Sequence, residues 1–229
     1  MDEPFLLAFY VWQTYDYYFE PTAAYFAIKK ASEPLHIQWN PATDEVEVVN
    51  YSAGTHKGLT AKVQILNMDA SVAWEKEATV DSNEDTTNKC IKLAFPANLS
   101  KVHFIKMVLT ENGKVVSDNF YHRSLEENNY QDLRQLAKVA LQSTTTVDKN
   151  ADGTWSAVSV IENKTSTPAL MIRLNVVGSK DGQQLLPVFY SDNYFSLLPG
   201  EKKEVRMSWK DEDTRGNEGK VLITGYNVE

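Results

Sequence analysis

Two series of short, alternating apolar segments punctuated by turn residues, and one breaker-free stretch confined to the N-terminus, predict an all-β chain of two antiparallel sandwiches behind a short helix. The helix is expected after Pro21, whose fixed φ suits a first helical turn, through Ala23, Ala24, Ala27, Ile28, Lys29 and Lys30 to the stop at Ser32-Glu33-Pro34. The divisions that follow are 1–32 for the lead-in and helix, 33–123 for the first sandwich, 124–137 for a connector and 138–229 for the second sandwich.

In the first series the strands are Leu35–Trp39, Glu45–Tyr51, Leu59–Asn67, Val72–Val80, Lys89–Phe95, Val102–Thr110 and Lys114–Tyr121. Their number and spacing are immunoglobulin-like. Alternation fixes faces: Val46, Val48 and Asn50 share one side of a strand, while Glu45, Glu47 and Val49 share the other. Asn112-Gly113 between two such runs is a hairpin signal, because both residues tolerate the positive φ that a tight turn needs. Residues 124–137 lose the alternation and turn polar, with one helical turn expected at Asp132–Leu136.

The second series is Lys138–Val147, Thr154–Asn163, Ala169–Gly178, Gln184–Phe189, Tyr194–Leu197, Lys202–Trp209 and Lys220–Val228, with turns at Lys180-Asp181-Gly182-Gln183 and Leu198-Pro199-Gly200-Glu201. Ala169–Val177 follows Val160–Asn163 by a short loop much as Lys62–Leu66 follows Val48–Asn50. That parallel points to two copies of a related unit.

The chain has 229 residues, 42% hydrophobic and 24% charged, which suits two globular domains. A formal net charge of −8 offers no electrostatic footprint for nucleic acid or an anionic membrane, so neither partner is expected. Cys90 is the only cysteine, which leaves stability to the cores and excludes an internal disulfide. Phe5–Trp12 is apolar but too short to span a bilayer, and it follows two acids where a signal peptide would carry basic residues. Ten aromatic side chains fall in the first 26 residues: Phe5, Phe9, Tyr10, Trp12, Tyr15, Tyr17, Tyr18, Phe19, Tyr25 and Phe26. Such density asks for a partner surface: packing on a neighbouring domain or on one outside this chain is preferred to a sugar-stacking platform, and self-association through residues 5–26 is a further way to satisfy it.

No side-chain set carries a recognisable chemistry. Glu45/Glu47 and Glu75/Glu77 each put two carboxylates on one strand face, read as solvated outer faces. His36, His56, His103 and His122 are scattered, with no nucleophile elbow and no His-x-x-x-His pair. Cys90 is read as a small core residue. Asp148-Lys149-Asn150-Ala151-Asp152-Gly153 opens like a calcium loop, with Asp148, Asn150 and Asp152 as ligands, but position twelve is Ser159 where a bidentate glutamate is needed, so an acidic hairpin turn is preferred. No cofactor is expected. Trp74, Trp155 and Trp209 follow core alternation; only Tyr190 and Tyr194, around Ser191-Asp192-Asn193, lie in a loop-like setting where rings face solvent and a sugar would stack.

One further pattern concerns ancestry. Trp12-Gln13-Thr14-Tyr15-Asp16-Tyr17-Tyr18, Glu20-Pro21-Thr22-Ala23-Ala24-Tyr25-Phe26, Lys29-Lys30-Ala31, Glu33-Pro34-Leu35-His36-Ile37-Gln38, Leu197-Leu198-Pro199-Gly200-Glu201 and Gly225-Tyr226-Asn227-Val228 together resemble the barrel-to-sandwich junction and C-terminal region of glycoside hydrolase family 2, in its exo-β-D-glucosaminidase and β-mannosidase branch. Met1–Val11 depart from that pattern. The resemblance implies a retaining glycosidase whose two glutamates sit about 5 to 5.5 Å apart at the mouth of a (β/α)8 barrel. On this reading the N-terminal helix is the end of that barrel, and the chain carries no catalytic residue. It serves as a C-terminal accessory region buttressing the barrel, in a bacterial parent that is periplasmic or secreted, with glycans as a further partner. The alternative is a free-standing carbohydrate-binding or cell-surface interaction module.

Overall fold

The computed structural model describes residues 14–229. Phe5, Phe9, Tyr10, Trp12 and the rest of the apolar run before Thr14 lie outside the described residues. The only α-helix among those described, α1 (Ala23–Ala31), starts two residues after Pro21, which instead bridges to Tyr15 in an antiparallel pair. Its last turn carries Lys29 and Lys30, cations suited to the negative end of the helix dipole. Two compact units follow from the contacts: Lys29–Leu136, and Ala137–Glu229 together with the described residues up to Ile28.

In the unit Lys29–Leu136 the strands are β1 (Leu35–Asn40), β2 (Glu45–Asn50), β3 (His56–Asn67), β4 (Val72–Ser82), β5 (Thr86–Lys92), β6 (Val102–Glu111) and β7 (Lys114–Ser124). All pair antiparallel, in a three-stranded sheet ordered β1-β2-β5 and a four-stranded sheet ordered β4-β3-β6-β7. Inward residues of both sheets form one core, including Ile37, Val46, Val48, Leu59, Val63, Ile65, Ile105, Met107 and Leu109. The β6–β7 hairpin pairs Glu111 with Lys114, and Asn112 and Gly113 sit at φ 50° and 75°, the twist-matching turn that Asn-Gly specifies. The expected helical turn in the connector is a 3-10 turn at Gln131–Gln135.

Glu47 departs from expectation. It is only 6% exposed, and its carboxylate accepts hydrogen bonds from the side-chain amides of Gln38 and Asn40 at 3.1 Å each, so that face of β2 is not solvated. Glu75 and Glu77 are exposed, Glu75 pairing with Lys62 at 3.0 Å. Cys90 packs against the core and its thiol is pushed up to about 11 by burial, which keeps it protonated and unreactive.

The second unit contains β8 (Gln142–Lys149), β9 (Thr154–Glu162), β10 (Ala169–Gly178), β11 (Phe189–Tyr190), β12 (Phe195–Leu197), β13 (Lys202–Lys210) and β14 (Gly219–Thr224). They form a four-stranded sheet ordered β11-β13-β9-β8 and a three-stranded sheet ordered β12-β10-β14. Three boundaries are shorter than the alternation implies. The run at Gln184–Phe189 contributes only Phe189 to β11 and a bridge from Gln184 to Val177, because Pro187 has no N–H to donate to a ladder. The first strand begins at Gln142, Val139 instead making a parallel bridge to Val228, and the last strand ends at Thr224. Trp209 lies in the core, with Trp155 stacked on it at 6.4 Å and 3°. A Cβ on Gly219 would sit 2.5 Å from the Trp209 ring, so the indole has room only because this position is glycine.

Candidate functional site

The segment before α1 is a tight loop. The Asp16 carboxylate accepts from the Tyr18 and Glu20 N–H groups at 2.9 Å each, Asp16 N–H donates to Glu20 C=O, and Thr22 N–H donates to Thr14 C=O. Phe19 is held at φ 64°, a conformation costly for an aromatic residue, with its ring pointed outward and 68% exposed. The Glu20 carboxylate forms an ion pair with Arg173 on β10. Phe26, 5% exposed, packs edge-on against Tyr190 at 6.5 Å and tilted against Tyr194 at 6.0 Å, while Tyr15 and Tyr25 meet at 5.0 Å.

Beside this loop lies a groove of about 440 Å³ lined by Tyr15, Phe19, Pro21, Tyr25, Phe26, Pro187, Val188, Phe189 and Tyr190. Phe19, Tyr17 (71%) and Phe189 (66%) are among the most exposed aromatic rings of the described residues. The wall is apolar, so the groove suits a hydrophobic partner and offers little to orient a polar ligand.

Tyr190 and Tyr194 come together here, but each is only partly exposed, with ring contacts to Phe26. The Tyr190 hydroxyl accepts from Val176 N–H at 3.3 Å, and burial raises its phenol far above the ordinary tyrosine range. Burial raises Tyr194 as well. In the β8–β9 turn, the Asp152 carboxylate accepts from Thr154 N–H at 3.0 Å and from its hydroxyl at 2.6 Å, and Asn150 donates to the same hydroxyl. Asp148 lies on β8 opposite Ser156. Among the described residues no group of three or more His, Cys, Asp or Glu converges as a metal site.

Spacing gave no sign of one constellation that the fold assembles. His56 Nε2 lies 2.8 Å from Ser52 Oγ, and His56 Nδ1 lies 2.8 Å from a Glu111 carboxylate oxygen, the outline of a nucleophilic triad. Hydrogen accounting assigns it a structural role. The two N–H groups of the Asn50 amide are shared among the Gly54, Ser82 and Asn83 carbonyls, which aims its oxygen at Ser52, whose N–H and hydroxyl both donate to it at 2.9 and 2.5 Å. The hydroxyl hydrogen is therefore committed, and Ser52 accepts from His56. The set ties the β2–β3 loop to the end of β6. Only pairing of β3 with β6 brings His56 and Glu111 together, so no local pattern reveals it.

The exo-β-D-glucosaminidase Ig-fold domain family matches residues 119–228. Over 95% of its length the chain is 32% identical to an exo-β-D-glucosaminidase of Streptomyces avermitilis and 30% identical to that of Amycolatopsis orientalis, spanning 26% and 23% of those proteins. The solved exo-chitosanase of Amycolatopsis orientalis superposes on 95% of the chain with a TM-score of 0.87 at 29% identity, the chain covering 28% of that structure. A β-D-mannosidase from Dictyoglomus thermophilum shares the fold at a TM-score of 0.67 and 17% identity. The chain thus spans about a quarter of the length of these relatives, and its residues 119–228 match the Ig-fold domain of exo-β-D-glucosaminidases.

Proposed function

We propose that the chain is a non-catalytic accessory region of a family 2 exo-β-glucosaminidase-like or β-mannosidase-like enzyme, and that the face formed by Tyr17, Phe19 and Phe189 around the groove docks on the catalytic barrel of its parent. The carrying observation is this cluster of outward aromatics, two on a strained, internally braced loop and Phe189 on β11 beside it, in a chain one quarter the length of its relatives. Water-exposed rings held in place before any partner arrives lower the ordering cost of association. On this reading α1 closes the barrel, whose own glutamate pair cleaves the β-glycosidic bond with retention. Tyr190 and Tyr194 serve as the seat for Phe26, leaving too little free ring face for a sugar platform.

The test mixes the chain with the separately produced remainder of the Streptomyces avermitilis relative. Association weakened at least tenfold by Phe19→Asp or Phe189→Asp is expected, with no hydrolysis of nitrophenyl β-glucosaminide by the chain alone. Turnover abolished by a substitution within residues 33–229 would overturn the accessory reading. Saturable binding of chitosan oligosaccharides lost in Tyr194→Ala would favour a carbohydrate-binding module.

A further inference from the structure

We infer that the open edge of β8 is a self-pairing surface, on which a second copy of this chain adds its own β8 antiparallel. The strand is terminal in the order β11-β13-β9-β8, and its four-stranded sheet faces one of three strands. All its residues but Val147 are exposed, even Thr145, which shares the inward side with buried Ser159 and bonds its hydroxyl at 2.8 Å. β8 therefore overhangs the core.

Other edges are protected. β4 carries Glu75, Lys76, Glu77 and Asp81; β5 carries Lys89 and Lys92; β7 carries Lys114, Asp118 and Arg123; β14 carries Lys220; β11 and β12 have two and three residues. At β1 the backbone of Ile37 is engaged by the Ser117 hydroxyl and the Asn119 amide. Charges, brevity and side-chain cover are the usual means of blocking edge-to-edge pairing. β8 keeps its two charges, Asp148 and Lys149, at the hairpin end, and over Gln142–Val147 it has no charge, no proline and four β-favouring residues in Thr144, Thr145, Thr146 and Val147.

The register follows from hydrogen-bond parity. Asn150 N–H donates to Thr154 C=O at the hairpin end, so the even residues of β8 face β9, and Ser143, Thr145, Val147 and Lys149 present their N–H and C=O groups outward. A two-fold centred on Thr146 joins outward residues to outward residues, Thr145 to Val147 and Ser143 to Lys149 of the second copy, with Thr144 and Asp148 meeting as a non-hydrogen-bonded pair between them. No like charges meet. One strand pair buries less than the roughly 1,200 Å² of a stable interface, so the dimer is weak and concentration-dependent.

Sedimentation velocity of the full chain across a concentration series is the test, with hydrogen exchange at the outward amides. Expected are a sedimentation coefficient that rises with concentration and protection of Ser143, Thr145 and Val147 that rises with it. Ser143→Lys, which faces Lys149, should weaken association at least several-fold, and Ser143→Glu should strengthen it. Thr145→Pro, which removes an outward N–H, should abolish it while circular dichroism stays unchanged. A coefficient independent of concentration up to the solubility limit would overturn the proposal. So would association insensitive to Ser143 but lost in Phe19→Asp, which would place the contact on the aromatic face.

Discussion

In both sandwiches a fully buried asparagine, the last residue of β2 and the residue just after β9, folds the following loop around itself. Asn50 donates to the carbonyls of Gly54, Ser82 and Asn83 and accepts from Ser52; Asn163 donates to those of Thr167 and Leu197 and accepts from Thr165 N–H and hydroxyl at 3.0 and 2.8 Å. The acceptor lies four residues on in each case, and the hydroxyl two residues on. Beyond this shared corner they diverge. After β3 a short turn at Asn67–Ser71 returns β4 to the same sheet, whereas after β10 the longer excursion through Pro187 delivers β11 to the opposite sheet. A repeated local hydrogen-bond device is thus compatible with two distributions of the fourth strand, because the connection after the third strand decides which sheet receives it.

The sandwiches also differ in what completes them. The second recruits Phe26, while the unit Lys29–Leu136 closes on its own strands and a polar network. The sharpest way to break this contrast is Phe26→Ala, which empties the seat between Tyr190 and Tyr194. Loss of about 3–5 kcal/mol from the unit containing residues 137–229 is expected, with the other unfolding transition unmoved in denaturant titrations. Coincident shifts of both transitions would show that the two units are not separable in this way.

Asn50→Ala and Asn163→Ala sharpen the likeness. Each strands buried carbonyls and donors, so each should cost about 2–4 kcal/mol, in its own unit and by similar amounts. A cost confined to Asn50 would mean that the shared corner is geometry without shared energetics.

The smallest effect expected is a pH dependence of the first unit centred on Glu33. Glu33 is penalised by burial, but hydrogen bonds from His36 and Ser117 (2.7 Å) and the Lys30 ammonium at 3.0 Å outweigh it and lower its carboxyl to about 2. A lowered carboxyl stabilises the fold above its unfolded value near 4.5 and loses that contribution as pH falls from 4.5 towards 2. Discounted for solvent screening, about 1 kcal/mol is at stake. Glu33→Gln should flatten the acid limb of melting temperature against pH in that unit; an unchanged acid limb would remove Glu33 from the account.

By itself the sequence determined the all-β class, nearly every strand, the Asn112-Gly113 hairpin and the likeness to exo-β-D-glucosaminidases, because these rest on period-two alternation, turn chemistry and motifs read along the chain. The inward Trp209 was legible for the same reason. The tertiary structure alone decided which sheet receives β11, the cover over Glu47, the Ser52-His56-Glu111 set and the seating of Phe26 between Tyr190 and Tyr194. Phe26 with Tyr190 and Tyr194, and His56 with Glu111, lie far apart in the chain, and even the Glu47 cover depends on a cross-strand register, so their meeting rests on pairing and packing that no local pattern encodes.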